Sequence, residues 1–174
     1  MAPPPELVVA PGVRLRRATP ADLTAIVALL ADDPLGAGRE HPSSFAAYER
    51  AFAAIDADPS HRLVVLEDDG TVVGTLQLSF LPGLSRGGAW RGQIEAVRVA
   101  ASHRGQGLGE RLVRWAVEES TARGCALVQL TTDKSRRDAH RFYARLGFEP
   151  SHEGFKMTLA TPPQHDRHDQ EQRP

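Results

Sequence analysis

The chain has 174 residues, 41% of them hydrophobic and 25% charged, proportions that suit one soluble domain rather than two. Its formal net charge is -1 with no long basic run, which argues against nucleic acid as a partner. The one cysteine, Cys125, excludes an internal disulfide and argues against a cysteine-built metal site.

No apolar run approaches the roughly 20 residues that a membrane helix needs. The opening Met-Ala-Pro-Pro-Pro-Glu lacks the charged and apolar regions of a secretory signal. A cytoplasmic protein with no membrane contact is expected. Residues 1–12 are proline-rich and read as a flexible segment, and 161–174 as a disordered tail with no apolar residue to bury. His165 and His168 of that tail are read as solvated rather than as metal ligands. The domain proper is 13–160.

Val13–Arg17 opens it as a short strand. Thr19-Pro20-Ala21-Asp22 supplies an N-cap, a proline at the first helical position and a capping carboxylate. The helix that follows runs to about Ala31, with Leu23, Ile26, Val27 and Leu30 on one face. After a loop over Asp32–Pro42, Ser43 or Ser44 caps a second helix to about Asp56, carrying Phe45, Tyr48, Phe52 and Ile55 at helical spacing. Leu63–Glu67 and Val72–Phe80 are strands around Asp68-Asp69-Gly70, a hairpin turn. A loop over Leu81–Gly88 leads to the strand Arg91–Val99.

The helix Gly107–Arg123 carries Leu108, Leu112, Trp115, Ala116 and Glu119 on neighbouring turns and ends at Gly124. Ala126–Thr132 is a strand, Arg137–Leu146 a helix stopped by Gly147, and Phe155–Leu159 a last strand. The order β-α-α-β-β-β-α-β-α-β predicts an α/β fold: one mixed sheet with helices on both faces.

The segment Ile94–Gly109 carries the most chemistry. A strand runs into Arg104-Gly105-Gln106-Gly107-Leu108-Gly109, and this glycine loop opens a helix. The first N–H groups of a helix have no intrahelical partner, and its dipole places partial positive charge there. Glycines let the backbone approach an anion closely. Such a turn is suited to holding phosphates. A Rossmann dinucleotide site is the competing reading, but the glycine spacing differs from its fingerprint, and Thr131-Thr132 follow the second strand.

Arg104-Gly105-Gln106-Gly107-Leu108-Gly109 resembles the Arg/Gln-x-x-Gly-x-Gly/Ala signature of the GCN5-related N-acetyltransferase (GNAT) superfamily. A second signature of that superfamily is similar to Ala139-His140-Arg141-Phe142-Tyr143-Ala144-Arg145-Leu146-Gly147-Phe148. With the element order, the resemblance covers about Val13 to Leu159. It implies splayed central strands and binding of an acyl-coenzyme A, most often acetyl-CoA. The backbone of Arg104, Gly105, Gln106, Gly107, Leu108 and Gly109 would hold the diphosphate. The pantetheine arm would lie along Val97, Arg98 and Val99, pairing with free strand groups as a peptide does. Many relatives have Asn where this chain has Arg136. Lys134, Arg136 and Arg137 form a basic cluster there, read either as a seat for the coenzyme 3′-phosphate or as a solvated helix start.

Acyl transfer to an amine needs a neutral nucleophile, a polarised carbonyl and a proton for the thiolate. Glu95 is the candidate base; simple alternation puts it on one face with Val97 and Val99. Its other reading is a rim carboxylate paired with Arg91 or Arg98. The resemblance makes Tyr143 the general acid, near the coenzyme sulfur; its other reading is a core tyrosine behind Phe142. A backbone N–H near Val97 would hold the carbonyl oxygen. Cys125 is read as a buried thiol, His103 and His140 as partly exposed histidines beside the coenzyme, and no residues as a metal site.

The expected function is therefore acyl-CoA-dependent N-acyl transfer to a primary amine of a small molecule. The alternative is a non-catalytic acyl-CoA-binding sensor, which has no use for an acid and a base at the sulfur. The acceptor is expected to approach beside Asp32, Asp33, Glu40 and Glu49, acids that favour a cationic amine. Ile94–Val99 and Ser151–Met157 are also locally similar to the amino-sugar-phosphate branch. Amino sugar, amino acid, antibiotic and protein amine all stay open, as does a homodimer with Trp90 at its interface.

Overall fold

The computed structural model describes residues 7–32 and 45–159. Six strands make one sheet: β1 (Leu7–Ala10), β2 (Val13–Arg17), β3 (His61–Asp68), β4 (Thr71–Leu81), β5 (Arg91–Val99) and β6 (Leu127–Leu130). They lie in sequence order across the sheet. Every neighbouring pair is antiparallel except β5 and β6, which are parallel and therefore need a crossover. The helix α3 (Leu108–Ala122) supplies it; α1 (Leu23–Ala31), α2 (Phe45–Ala57) and α4 (Arg137–Arg145) are the other helices of two or more turns among the described residues. Ser85–Gly88 is a single turn, broken by left-handed backbone at Arg86 and Gly87.

Alternation along β3 sorts its side chains between two cores. Val64 and Leu66 join Leu108, Leu112 and Trp115 of α3 on one face of the sheet. Leu63 and Val65 join Leu23 and Ile26 of α1 and Phe52 of α2 on the other. Each such fully buried side chain contributes on the order of 2 kcal/mol. The β3–β4 turn has positive φ at both Asp69 (45°) and Gly70 (78°), the geometry that matches strand twist in a tight hairpin.

The capping carboxylate Asp22 accepts from the Thr19 backbone N–H at 2.7 Å and its hydroxyl at 2.9 Å. It also receives both Nη atoms of Arg16, at 2.7 and 2.8 Å, and is itself buried. Arg16 further donates to the buried Glu67, which Arg14 also holds. These guanidinium hydrogen bonds keep both carboxyls below the ordinary range.

Two elements depart from the sequence reading. Within the segment 1–12 expected to be flexible, Leu7–Ala10 forms β1 against β2, with Val9 buried and Gly12 turning the chain at φ 78°. Its four consecutive apolar residues carry no alternation to announce a strand. The expected last strand, Phe155–Leu159, pairs with no strand among the described residues; 151–159 is irregular and exposed. Alternation there assigns faces to side chains but names no partner edge. The Ser43 or Ser44 cap, Asp33, Glu40, His165 and His168 lie outside the described residues.

Candidate active site

β5 and β6 pair only from Arg91 opposite Leu127 to Ile94 opposite Leu130. Gln129 Nε2 donates to Gln93 Oε1 at 2.8 Å, the side-chain link nearest that end. Beyond it β6 stops while β5 continues, so the edge of β5 from Glu95 to Val99 has no strand neighbour on that side among the described residues. The strands part there, as expected. The resulting cleft, about 250 Å³, is lined by both strands, the loop after β6, the start of α4 and Lys156.

On its other side β5 carries a bulge. Thr75 faces Arg98 and Gln77 faces Glu95, so Ala96 and Val97 together oppose the single residue Leu76. Ala96 sits at φ 55°, a left-handed conformation costing a non-glycine residue about 1 kcal/mol. A bulge leaves the extra residue's backbone groups outside the ladder and re-aims the side chains after it. That corrects the simple alternation expected for this strand. Glu95 and Arg98, opposite Gln77 and Thr75, share one face. Val97 and Val99 pack instead against the α3 core. Glu95 is exposed and lines the cleft. Arg98 Nη1 donates to the Val97 carbonyl at 2.9 Å.

At the far end of β5 the loop Arg104–Gly109 turns into α3. Gly105 and Gly107 both have φ 77°, and a Cβ on either would meet open space. Their lack of side chains therefore answers to the backbone conformation and to the free volume outside, not to crowding within the protein. Leu108 anchors the turn by burying its side chain, and Gly109 brings the helix close to Phe142 of α4. Gln106 Nε2 donates to the Ser102 carbonyl at 3.3 Å. Arg104 turns back, donating to the Val99 carbonyl at 3.0 Å and to Asp32 at 2.8 Å. The turn thus presents its backbone, with open space outside it, at Gly105 and Gly107.

Tyr143 of α4 faces the cleft while its ring packs edge-on against Phe142 (5.0 Å between centroids) and Phe148 (5.9 Å). The packing behind Phe142 agrees with the reading as a core tyrosine, and the same side chain also lines the cleft. Burial pushes its phenol above the ordinary range, and the charges of Arg136 and Arg98 oppose that shift. Arg136 lines the same cleft. Of the basic cluster's other members, Lys134 pairs with Glu153 at 2.8 Å and Arg137 is exposed.

The remaining candidates are elsewhere engaged. His103 Nε2 is 3.1 Å from Asp68 and its Nδ1 2.8 Å from the Ser102 hydroxyl. His140 Nε2 donates to the Asp133 carbonyl at 3.0 Å. Cys125 is half-buried, with its thiol pushed up by burial. Trp90 is partly exposed, with the Arg123 guanidinium over its ring. Sequence reasoning missed Lys156, the bulge, and Asp133 as lining groups. Lys156 lies 58 residues downstream of Arg98, and nothing in its spacing ties it to the cleft.

The family model described as the acetyltransferase (GNAT) family matches residues 23–148. The chain is 35% identical to the aminoalkylphosphonate N-acetyltransferase of Salmonella typhimurium over 152 residues, 87% of this chain and 94% of that one. It is 38% identical to the glucosamine 6-phosphate N-acetyltransferase of Trypanosoma brucei brucei over 52% of this chain and 59% of that one. Among solved structures, a protein described as a transcriptional regulator from Bacillus halodurans C-125 aligns with a TM-score of 0.81 at 48% identity. The alignment covers 84% of this chain and 99% of that one.

Proposed function

The chain belongs to the acetyltransferase (GNAT) family, and from that membership we propose an assignment of its residues to the reaction. The protein is an acetyl-CoA-dependent N-acetyltransferase acting on small-molecule amines. The backbone of Arg104–Gly109 holds the coenzyme diphosphate, and the open edge of Val97, Arg98 and Val99 pairs with the pantetheine arm. Arg136 contacts the coenzyme at the mouth of α4. The observation that carries this reading is the coincidence, on one strand, of an unpaired edge, a bulge and a glycine turn with open space outside it.

When bound, the coenzyme supplies an activated acetyl thioester. Glu95 accepts the proton of the incoming ammonium, directly or through water, since an alkylamine with pKa near ~10.4 is mostly charged at neutral pH. The backbone N–H groups around the bulge at Val97 stabilise the oxyanion. Tyr143 gives its phenolic proton to the departing thiolate; its raised pKa keeps that proton in place through neutral pH. Attack is direct, within a ternary complex, with no acyl group carried by Cys125.

The acceptor is a small primary amine bearing a phosphonate or phosphate, as the names of the Salmonella and trypanosome relatives suggest by analogy. No helix among the described residues is long and apolar enough to cross a membrane. The test is acetyl-CoA-dependent release of free thiol with a panel of amines. Release on adding 2-aminoethylphosphonate or glucosamine 6-phosphate supports the reading, and coenzyme binding without release from any amine contradicts it. The Bacillus halodurans relative is described as a transcriptional regulator, and with the glycine turn that supports a second reading, a non-catalytic acyl-CoA-binding regulator. That reading predicts tight binding and no turnover.

A further inference from the structure

We infer that Gln77 is an acceptor-binding residue, whose side-chain carbonyl holds one hydrogen of the incoming primary amine opposite Glu95. This inference rests on the acetyltransferase reading above and deepens it by naming a group that orients the amine. Gln77 of β4 stands directly across from Glu95 of β5. Directly opposed side chains of an antiparallel pair share a face, with Cβ atoms about 5 Å apart. An amine brought to Glu95 therefore meets Gln77 as well.

The neighbouring polar side chains of that face are engaged within the protein. The hydroxyl of Ser79, opposite Gln93, is 2.8 Å from His61 Nδ1. Gln93 Oε1 accepts from Gln129 Nε2 at 2.8 Å. Thr75, opposite Arg98, donates to the Val64 carbonyl at 3.0 Å. The side chains of Gln77 and Glu95, by contrast, make no hydrogen bond or ion pair among the described residues. Folding gives no reason for an amide at position 77. On its other flank it faces Leu63 of β3, which is buried in the core under α1 and α2. Gln77 itself is half-buried. An apolar side chain there would extend that core, whereas a half-buried amide without a partner weakens the fold.

A neutral primary amine has two N–H groups and one lone pair. With one hydrogen donated to a Glu95 oxygen and the other to Gln77 Oε1, the lone pair is left for the thioester carbon. The Gln77 amide takes no proton at neutral pH, so it orients the amine while Glu95 remains the base. An N-methyl amine satisfies one of the two acceptors and sets its methyl group against the other.

The experiment measures thiol release with 2-aminoethylphosphonate and glucosamine 6-phosphate, each against its N-methyl derivative, in the full chain and in Gln77→Leu. The variant is expected to lower kcat/KM for the primary amines about tenfold and to bring their advantage over the N-methyl derivatives down towards one. KM for acetyl-CoA stays unchanged. An amine preference equal in the two proteins, or a parallel loss in KM for acetyl-CoA, overturns the assignment. Gln77→Met, unbranched and of matching length, takes the place of Gln77→Leu if the latter does not fold. Calorimetric titration of the coenzyme A-loaded protein with the two primary amines separates this failure from that of the transferase reading. Amine binding that depends on Gln77 without any turnover overturns the transferase and keeps the assignment. Turnover indifferent to Gln77 overturns the assignment and keeps the transferase. Neither binding nor turnover overturns both.

Discussion

Tyr143 is buried enough to have its phenol raised and open enough to line the cleft. A group whose pKa is raised keeps its proton to higher pH, so as a general acid it stays competent through and beyond the ordinary tyrosine range. The expected pH profile of kcat therefore has its alkaline fall above that range. Tyr143→Phe should lower kcat on the order of 10²-fold and abolish that fall, with KM for acetyl-CoA nearly unchanged. A kcat within twofold of the parent, or an alkaline limb that persists in the variant, would assign the proton to another group. Glu95 illustrates how far a residue is legible from its chain position. Its strand was evident from β-forming residues between a turn and a glycine loop. Its face was not, because the bulge at Ala96 shifts the phase, and no residue type in Ile94–Val99 announces a left-handed alanine.

At the scale of elements, the helix-stop glycines, the hairpin turn and the Thr19–Asp22 cap were readable because each depends on a few adjacent residues. Gly124 and Gly147 end their helices at φ 78° and 89°, as the periodicity before them implies. Gly92 was not readable, since its reason lies 28 residues away. On the buried side of β5 it faces Ser120 of α3, and a Cβ there would stand 3.1 Å from the Ser120 Cβ and overlap its hydroxyl. That hydroxyl is itself fixed on the Ala116 carbonyl at 2.7 Å. Gly92→Ala should cost about 2 kcal/mol by overpacking, and adding Ser120→Ala should recover part of the loss. Urea denaturation of the single and double variants checks both; a double variant no more stable than Gly92→Ala would place the strain in the strand backbone.

Across the whole molecule, connection length bounds the pairing. The tight Asp69-Gly70 turn forces β3 and β4 antiparallel, and the parallel β5–β6 pair needs the α3 crossover. The long two-helix connection over 18–60 leaves the sense of β2 and β3 open, and they pair antiparallel. The ends of the sheet were less legible. β1 joins through backbone pairing to Val13–Arg17, a long-edge choice that no alternation marks. The C-terminal segment shows strand-like alternation at Phe155, Met157 and Leu159 yet stands off the sheet. In both cases the deciding quantity is whether an edge is available, and that is a property of the assembled sheet. The buried Arg16–Asp22–Glu67 network is non-local in the same sense, joining β2 to residue 67 on the next strand of the sheet.

The central proposal is that the glycine turn at the end of the open β5 edge receives a thioester's diphosphate. Calorimetric titration of the protein with acetyl-CoA, run beside Gly107→Ala, measures this directly. The expected result is one binding event per chain, weakened at least tenfold in the variant, whose new methyl group occupies both a left-handed backbone position and the space kept for phosphate. No heat from the parent at millimolar acetyl-CoA, or equal affinity in the two proteins, would contradict the account.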